Sequence, residues 1–257
     1  MFFIDAENHQ EEHRATISFV KEIGQGNAVR RPALTLLIYL QGVKTRVNFP
    51  TWEFPSIVET RTMDQFEAFI LAGGASSRMG TDKAQLLIGN ESFLQHIATV
   101  LFAVTDRVTV VGRDINDNKL SCVKDVYSQW GALGGLHGAL TACKSEWAFI
   151  VACDLPFITQ DLVQSLLPKR SGHDAVVPIQ PDNRPQPLCA FYRKGPCLKR
   201  ATELIQQDFR RPLDLLESVD TLWIPFTDLN QLPGAEKFFV NINTPEDYYE
   251  ATRNTAH

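Results

Sequence analysis

The sequence predicts an α/β protein built on a doubly wound, mostly parallel sheet with helices on both faces. Two observations carry this. From Phe66 onward, short apolar runs of strand length alternate with stretches of helical spacing, the pattern of a parallel sheet with crossover helices. The polar residues with the most chemical potential fall just past the apolar runs, where ligands gather on such sheets.

Taken in order, the first 62 residues resist a simple reading. Arg14 to Ile23 has helical spacing, and Ala33 to Leu40 (ALTLLIYL) suits a strand ending in a Gln41-Gly42 turn. Pro32, Pro50 and Pro55 punctuate this segment as linkers and irregular surface strands do. Phe66 to Leu71 is short and apolar enough for a buried strand. Phe93 to Phe102 reads as an amphipathic helix, Arg107 to Gly112 (RVTVVG) as a buried strand, Leu136 to Cys143 as a helix and Trp147 to Cys153 as a strand.

The stretch after the first of these strands carries the strongest chemical signal. Leu71, Ala72, Gly73 and Gly74 lead into Ala75, Ser76 and Ser77, then Arg78 and Lys83. Glycines let a ligand approach the main chain without a Cβ in the way, and small residues leave N–H and O–H donors open. Arginine adds a fork for phosphate oxygens and lysine a point charge. A glycine pair alone is most often a turn, and it is the neighbouring cations that point to a nucleoside triphosphate. Neither GxxxxGK[ST] nor GxGxxG is present, so this is a different phosphate-binding design.

Three further positions are candidates. Asp154, in VACDLP, follows an apolar strand. It suits a hard-oxygen ligand for Mg²⁺, or equally an Asx turn or the cap of a helix near Thr159. Asn241 and Asn243 lie two apart on an extended segment and so share a side, from which either could complete a metal site or bond a phosphate. The adjoining Thr244-Pro245-Glu246 makes a good helix start. Asp125, in CVKDV, can accept hydrogen bonds from a base or from ribose, or sit in a solvated turn. His137 is better suited to packing than to catalysis. Arg184, Arg210 and Arg211 suit a phosphorylated ligand only as far as any exposed arginine does.

Composition excludes several classes. With 44% hydrophobic and 21% charged residues the 257-residue chain can bury a sizeable core. A formal charge of −5 leaves no electrostatic footprint for nucleic acid. The five cysteines lack CxxC spacing, and reduced thiols in a cytoplasmic setting are expected. No apolar run is long enough for a membrane helix, so no membrane contact is expected, and the amino terminus lacks a signal-peptide core.

LAGGASSRMGTDK resembles the nucleotide loop of the molybdenum cofactor guanylyltransferase family, among nucleotidyltransferases of the glycosyltransferase-A type. The likeness continues through WGALGGLHG, VACDLP, QPLCAFY and VNINTPED and covers roughly residues 66 to 250. It implies a Rossmann-like sheet of the nucleotide-diphospho-sugar transferase type. Residues 63–257 would form the nucleotidyltransferase domain, with 1–62 an unassigned extension and Met63 an available alternative initiator.

By this resemblance the substrates are GTP and molybdenum-loaded molybdopterin, with transient contact to molybdoenzymes or cofactor-delivery proteins. Mg²⁺ would sit on Asp154 with Asn241 and Asn243. Leu71, Ala72, Gly73, Gly74, Lys83, Asp125 and Asp154 would bind nucleotide, Arg78, Lys83 and Asp154 would carry catalysis, and QPLCAFY would lie on the acceptor side. Alternatives within the class are a molybdopterin cytidylyltransferase or another transferase with a small phosphorylated acceptor. Outside it stands a non-catalytic GTP-binding protein.

Overall fold

The computed structural model separates into two units, Met1–Asp64 and Gln65–His257. It describes residues 66–73, 86–88, 91–115, 120–127, 130–242, 244 and 246–249, together with the backbone of strands at 16–20, 33–40 and 43–50.

The first unit holds β1 (Thr16–Val20), β2 (Ala33–Leu40) and β3 (Val43–Pro50) in one antiparallel sheet of that order. The helix expected over Arg14 to Ile23 is replaced by β1. Its sequence TISFV is rich in β-branched and aromatic residues, and pairing with β2 from Thr16↔Tyr39 to Val20↔Thr35 overrides the helical spacing. β2 has the bounds expected. β3 is a further strand beyond those expected, and Val43, Thr45, Val47 and Phe49 alternate along it as a strand requires.

The second unit runs β4 (Phe66–Leu71), β5 (Leu87–Ile88), β6 (Glu91–Ser92), α1 (Phe93–Phe102), β7 (Val108–Val111), β8 (Ser121–Val123), α2 (Gly131–Ala142) and β9 (Trp147–Ala152). It continues with α3 (Gln160–Leu166), β10 (Ala175–Pro178), β11 (Cys189–Arg193), α4 (Lys194–Gln206), α5 (Pro212–Leu216) and β12 (Thr221–Ile224). Seven strands form one sheet in the order β12-β10-β11-β9-β4-β7-β8. β11 runs antiparallel to both neighbours and the remaining pairings are parallel.

Period-two alternation along the central strands divides the core between the sheet faces. Phe66, Ala68 and Ile70 of β4 pack with Leu94, Ile97 and Leu101 of α1 and Leu162, Val163 and Leu166 of α3. Phe69 and Leu71 pack with Leu133, Leu136 and Leu140 of α2, Ala201 and Leu204 of α4, and Leu215 and Leu216 of α5. Every residue of β4 is buried, as a strand covered on both faces must be.

Local sequence explains where the helices begin. α1 opens on a capping box, in which Ser92 Oγ accepts from the Gln95 amide and the Gln95 side chain accepts from the Ser92 amide. α2 starts well before the Leu136 expected for it, because its glycines allow close packing rather than breaking the helix. A Cβ on Gly134 would lie 2.4 Å from the Tyr127 carbonyl oxygen, and one on Gly135 would touch the Leu71 side chain.

The order of the central strands also fixes where a ligand belongs. From β4 the chain moves to β7 and β8 on one side, then crosses to β9 on the other. The crevice at the carboxyl ends of β4 and β9 is therefore a topological switch point.

Candidate functional site at the switch point

β4 ends at this crevice with its last polar groups held by both neighbours. The Leu71 carbonyl accepts from the Cys153 amide at 3.0 Å, and the Ala72 amide donates to the Val111 carbonyl at 3.0 Å. Leu71 is buried against α2, so its part in a site is to hold the turn through its backbone. Gly73 then leaves the sheet back to back with Gly112. A Cβ on Gly112, whose φ is +91°, would come within 2.7 Å of the Gly73 Cα. Gly112, which the sequence marks only as the end of a strand, thus allows the close approach of the turn that follows β4. Gly74, Arg78 and Lys83 lie outside the described residues, as does Asn243.

Asp154 stands two residues past β9, half-buried, on the other side of the switch point. Of the alternatives open to it, helix capping is taken by Thr159, whose hydroxyl accepts from the Leu162 amide at 3.3 Å. The Asp154 carbonyl accepts from the Ile242 amide at 3.1 Å. That bond draws a distant stretch of sequence to the same strand end, with Ile242 fully buried and the adjacent Asn241 exposed. Asp154 and Asn241 are thereby neighbours in space although 87 positions apart.

The donor chemistry suits Mg²⁺. Carboxylate and amide oxygens are hard ligands, and this ion is held by one or two carboxylates plus phosphates rather than by a protein cage. Among the described residues no group of three or more His, Cys, Asp or Glu could hold a metal ion.

Asp125 lies two residues past β8. Its Oδ1 accepts from the Tyr127 amide at 2.9 Å, closing an Asx-type turn, and lies beside Gly138 of α2. The turn also positions the Tyr127 ring edge-on to His137 at 4.9 Å. His137 is buried, with Nε2 3.1 Å from Thr202 Oγ1. Burial holds its pKa below the ordinary value, and the nearby Asp125 charge opposes that shift in part. It packs α2 to α4, as its surroundings in the sequence suggest.

The acceptor-side expectation for QPLCAFY is narrowed by the structure. Cys189, Ala190, Phe191 and Tyr192 are fully buried in β11, and the Tyr192 hydroxyl donates to the Pro187 carbonyl at 2.7 Å. Only the Gln186 to Leu188 end reaches the crevice, where the Leu188 carbonyl accepts from the Ala152 amide at 3.0 Å. Three of the four glycines of WGALGGLHG are also spent internally, since Gly134, Gly135 and Gly138 face the protein's own backbone and side chains, whereas Gly131, with φ +58°, faces open space. Arg184, Arg210 and Arg211 each sit beside an acidic neighbour, Asp182, Asp208 and Asp214 respectively. Arg210 also stacks over Trp130 at 4.7 Å.

A mostly parallel, doubly wound sheet with Asp154 and Asn241 at its switch point is the architecture of α/β proteins that take ligands at the carboxyl ends of their strands. The crystal structure of molybdopterin-guanine dinucleotide biosynthesis protein A from Archaeoglobus fulgidus matches this chain with a TM-score of 0.64 at 23% identity, covering 74% of this chain and 98% of that one. 4-Diphosphocytidyl-2C-methyl-D-erythritol synthase from Anaerococcus prevotii matches with a TM-score of 0.56 at 13% identity, over 76% and 100% of the two chains. At such identities the likeness establishes the fold. A probable molybdenum cofactor guanylyltransferase of Pelotomaculum thermopropionicum is 34% identical over 193 residues, 74% of this chain and 93% of that protein. The model of the MobA-like NTP transferase domain matches residues 68–221, and the chain belongs to that family of nucleotidyltransferases.

Proposed function

We propose that this protein transfers GMP from GTP to molybdenum-loaded molybdopterin and releases pyrophosphate. The observation that carries the reading is the Ile242 to Asp154 hydrogen bond, which assembles a carboxylate and an asparagine at the strand ends where the glycine turn begins. The names of the sequence relatives support guanine as the base and the molybdenum cofactor as the product.

The chemistry asks little of the protein beyond positioning and charge. A terminal phosphate oxygen of the acceptor attacks the α-phosphorus of GTP in line, forming a new P–O bond as the bond to the bridging oxygen of pyrophosphate breaks. That acceptor oxygen is already ionised near neutral pH, so no general base is required. Asp154, with Asn241 and Asn243, would hold Mg²⁺, which supplies charge neutralisation across the phosphates. Arg78 and Lys83 answer the charge that develops on departing pyrophosphate. Gly73 and Gly74 bring main-chain donors close to the nucleotide, and Asp125 accepts hydrogen bonds from guanine or ribose.

The test is pyrophosphate release in the presence of Mg²⁺ with each of GTP, CTP, ATP and UTP, with and without molybdenum-loaded molybdopterin. Release is expected only with GTP and that acceptor, and Asp154→Ala should lower it by about 10²–10³-fold. Release with CTP instead would make the protein a cytidylyltransferase. Nucleotide binding with no release from any pair would make it a binding protein.

A further inference from the structure

Among the described residues the segment that carries Asn241 pairs with no strand, so something other than the sheet must fix it. The following contacts do so. Ile242 is buried and its amide donates to the Asp154 carbonyl at 3.1 Å. Thr244 and Asp247 then cap each other, with the Thr244 amide donating to Asp247 Oδ2 at 2.9 Å and the Asp247 amide to Thr244 Oγ1 at 3.1 Å. This reciprocal cap sets the direction of the helical turn at 246–249. Finally, the Tyr248 hydroxyl donates to the Leu87 carbonyl at 2.8 Å, and its ring lies 6.2 Å from that of Phe93.

Leu87 opens the β5–β6 hairpin, whose strands are two residues each. A hairpin of this length cannot hold its own position in water and depends on tertiary anchors. In the sequence it comes shortly after Lys83, and it leads directly into α1. Residues 241, 242, 244 and 246–249 thus form a strap running from Asp154 to the hairpin, with Tyr248 as its outer fastening.

We infer that Tyr248 is a positioning residue for the nucleotide–metal site, joining the hairpin after the nucleotide loop to the segment that presents Asn241 beside Asp154. The inference rests on the transferase reading above. It assigns Tyr248 no contact with substrate. Its effect passes through the strap, so it should weaken the hold on metal and nucleotide while leaving the chemical step at saturation nearly intact.

The experiment uses the full chain and Tyr248→Phe, which keeps the ring against Phe93 and removes only the hydroxyl. Losing one such hydrogen bond should raise the Mn²⁺ dissociation constant in the presence of GTP, and the KM for GTP, by about two- to tenfold, with kcat nearly unchanged. The Ile242 amide should exchange its hydrogen faster by a similar factor. Thr244→Ala, which loosens the strap without touching Leu87, should reproduce both effects. If Tyr248→Phe leaves either Mn²⁺ affinity or Ile242 exchange as in the unsubstituted protein, the positioning role is overturned. If the unsubstituted protein itself binds no Mn²⁺ with GTP, the transferase reading falls, and the inference with it. The two failures are told apart by which protein shows them.

Discussion

Glu67 shows how a single polar residue inside an apolar strand is made tolerable. It is 5% exposed, and its Oε1 accepts from the Lys144 amide at 2.9 Å, the Ser145 amide at 2.8 Å and the Ser145 hydroxyl at 3.0 Å. Arg107 lies 3.4 Å from the same oxygen. The carboxylate therefore replaces the sheet as partner for the turn that links α2 to β9. Glu67→Ala would strand two backbone donors and is expected to cost about 2–4 kcal/mol, read as a shift of the urea midpoint at constant slope. An unchanged midpoint would show that water satisfies the turn equally well. In the sequence Glu67 is one acidic letter in FEAFIL, and the partners that explain it lie 77 and 78 positions away.

Among the elements, α2 departs most from what its sequence suggests. Helix propensity argues against an early start through Gly134 and Gly135, each costing about 1 kcal/mol relative to alanine. Close packing outweighs that. The turn at Tyr127 lies so near Gly134 that a methyl group would fall 2.4 Å from a backbone oxygen and 2.9 Å from the Trp130 Cβ. Gly134→Ala should thus destabilise the protein by about 1–3 kcal/mol despite the better helix former, since overpacking moves backbone. A thermal melt at or above that of the unsubstituted protein would show that the turn gives way without cost. By contrast, β4, β2 and α1 have the bounds their sequences suggest, because periodicity and caps are local properties. β1 does not, since its strand state depends on pairing with β2.

At the scale of the molecule, every described candidate site residue belongs to the second unit, and the first holds a three-stranded sheet of its own. We propose that residues 63–257 form the transferase domain by themselves. A chain beginning at Met63 is expected to retain GTP-dependent pyrophosphate release with a KM within about twofold of the full chain, since no candidate residue precedes Leu71. Loss of turnover in a shortened chain that still folds, judged by circular dichroism, would give residues 1–62 a part in the reaction.

By itself the sequence determined the doubly wound class and the places of Gly73 and Asp154 just past strand ends, because strand-length apolar runs, glycine and a carboxylate past a strand end are local signals with local causes. The spatial partnership of Asp154 with Asn241, the back-to-back glycines at 73 and 112, the burial of most of QPLCAFY and the anchoring of Glu67 were decided only by the tertiary structure. Each depends on hydrogen bonds or packing between segments far apart in the chain, set by the order in which strands enter the sheet.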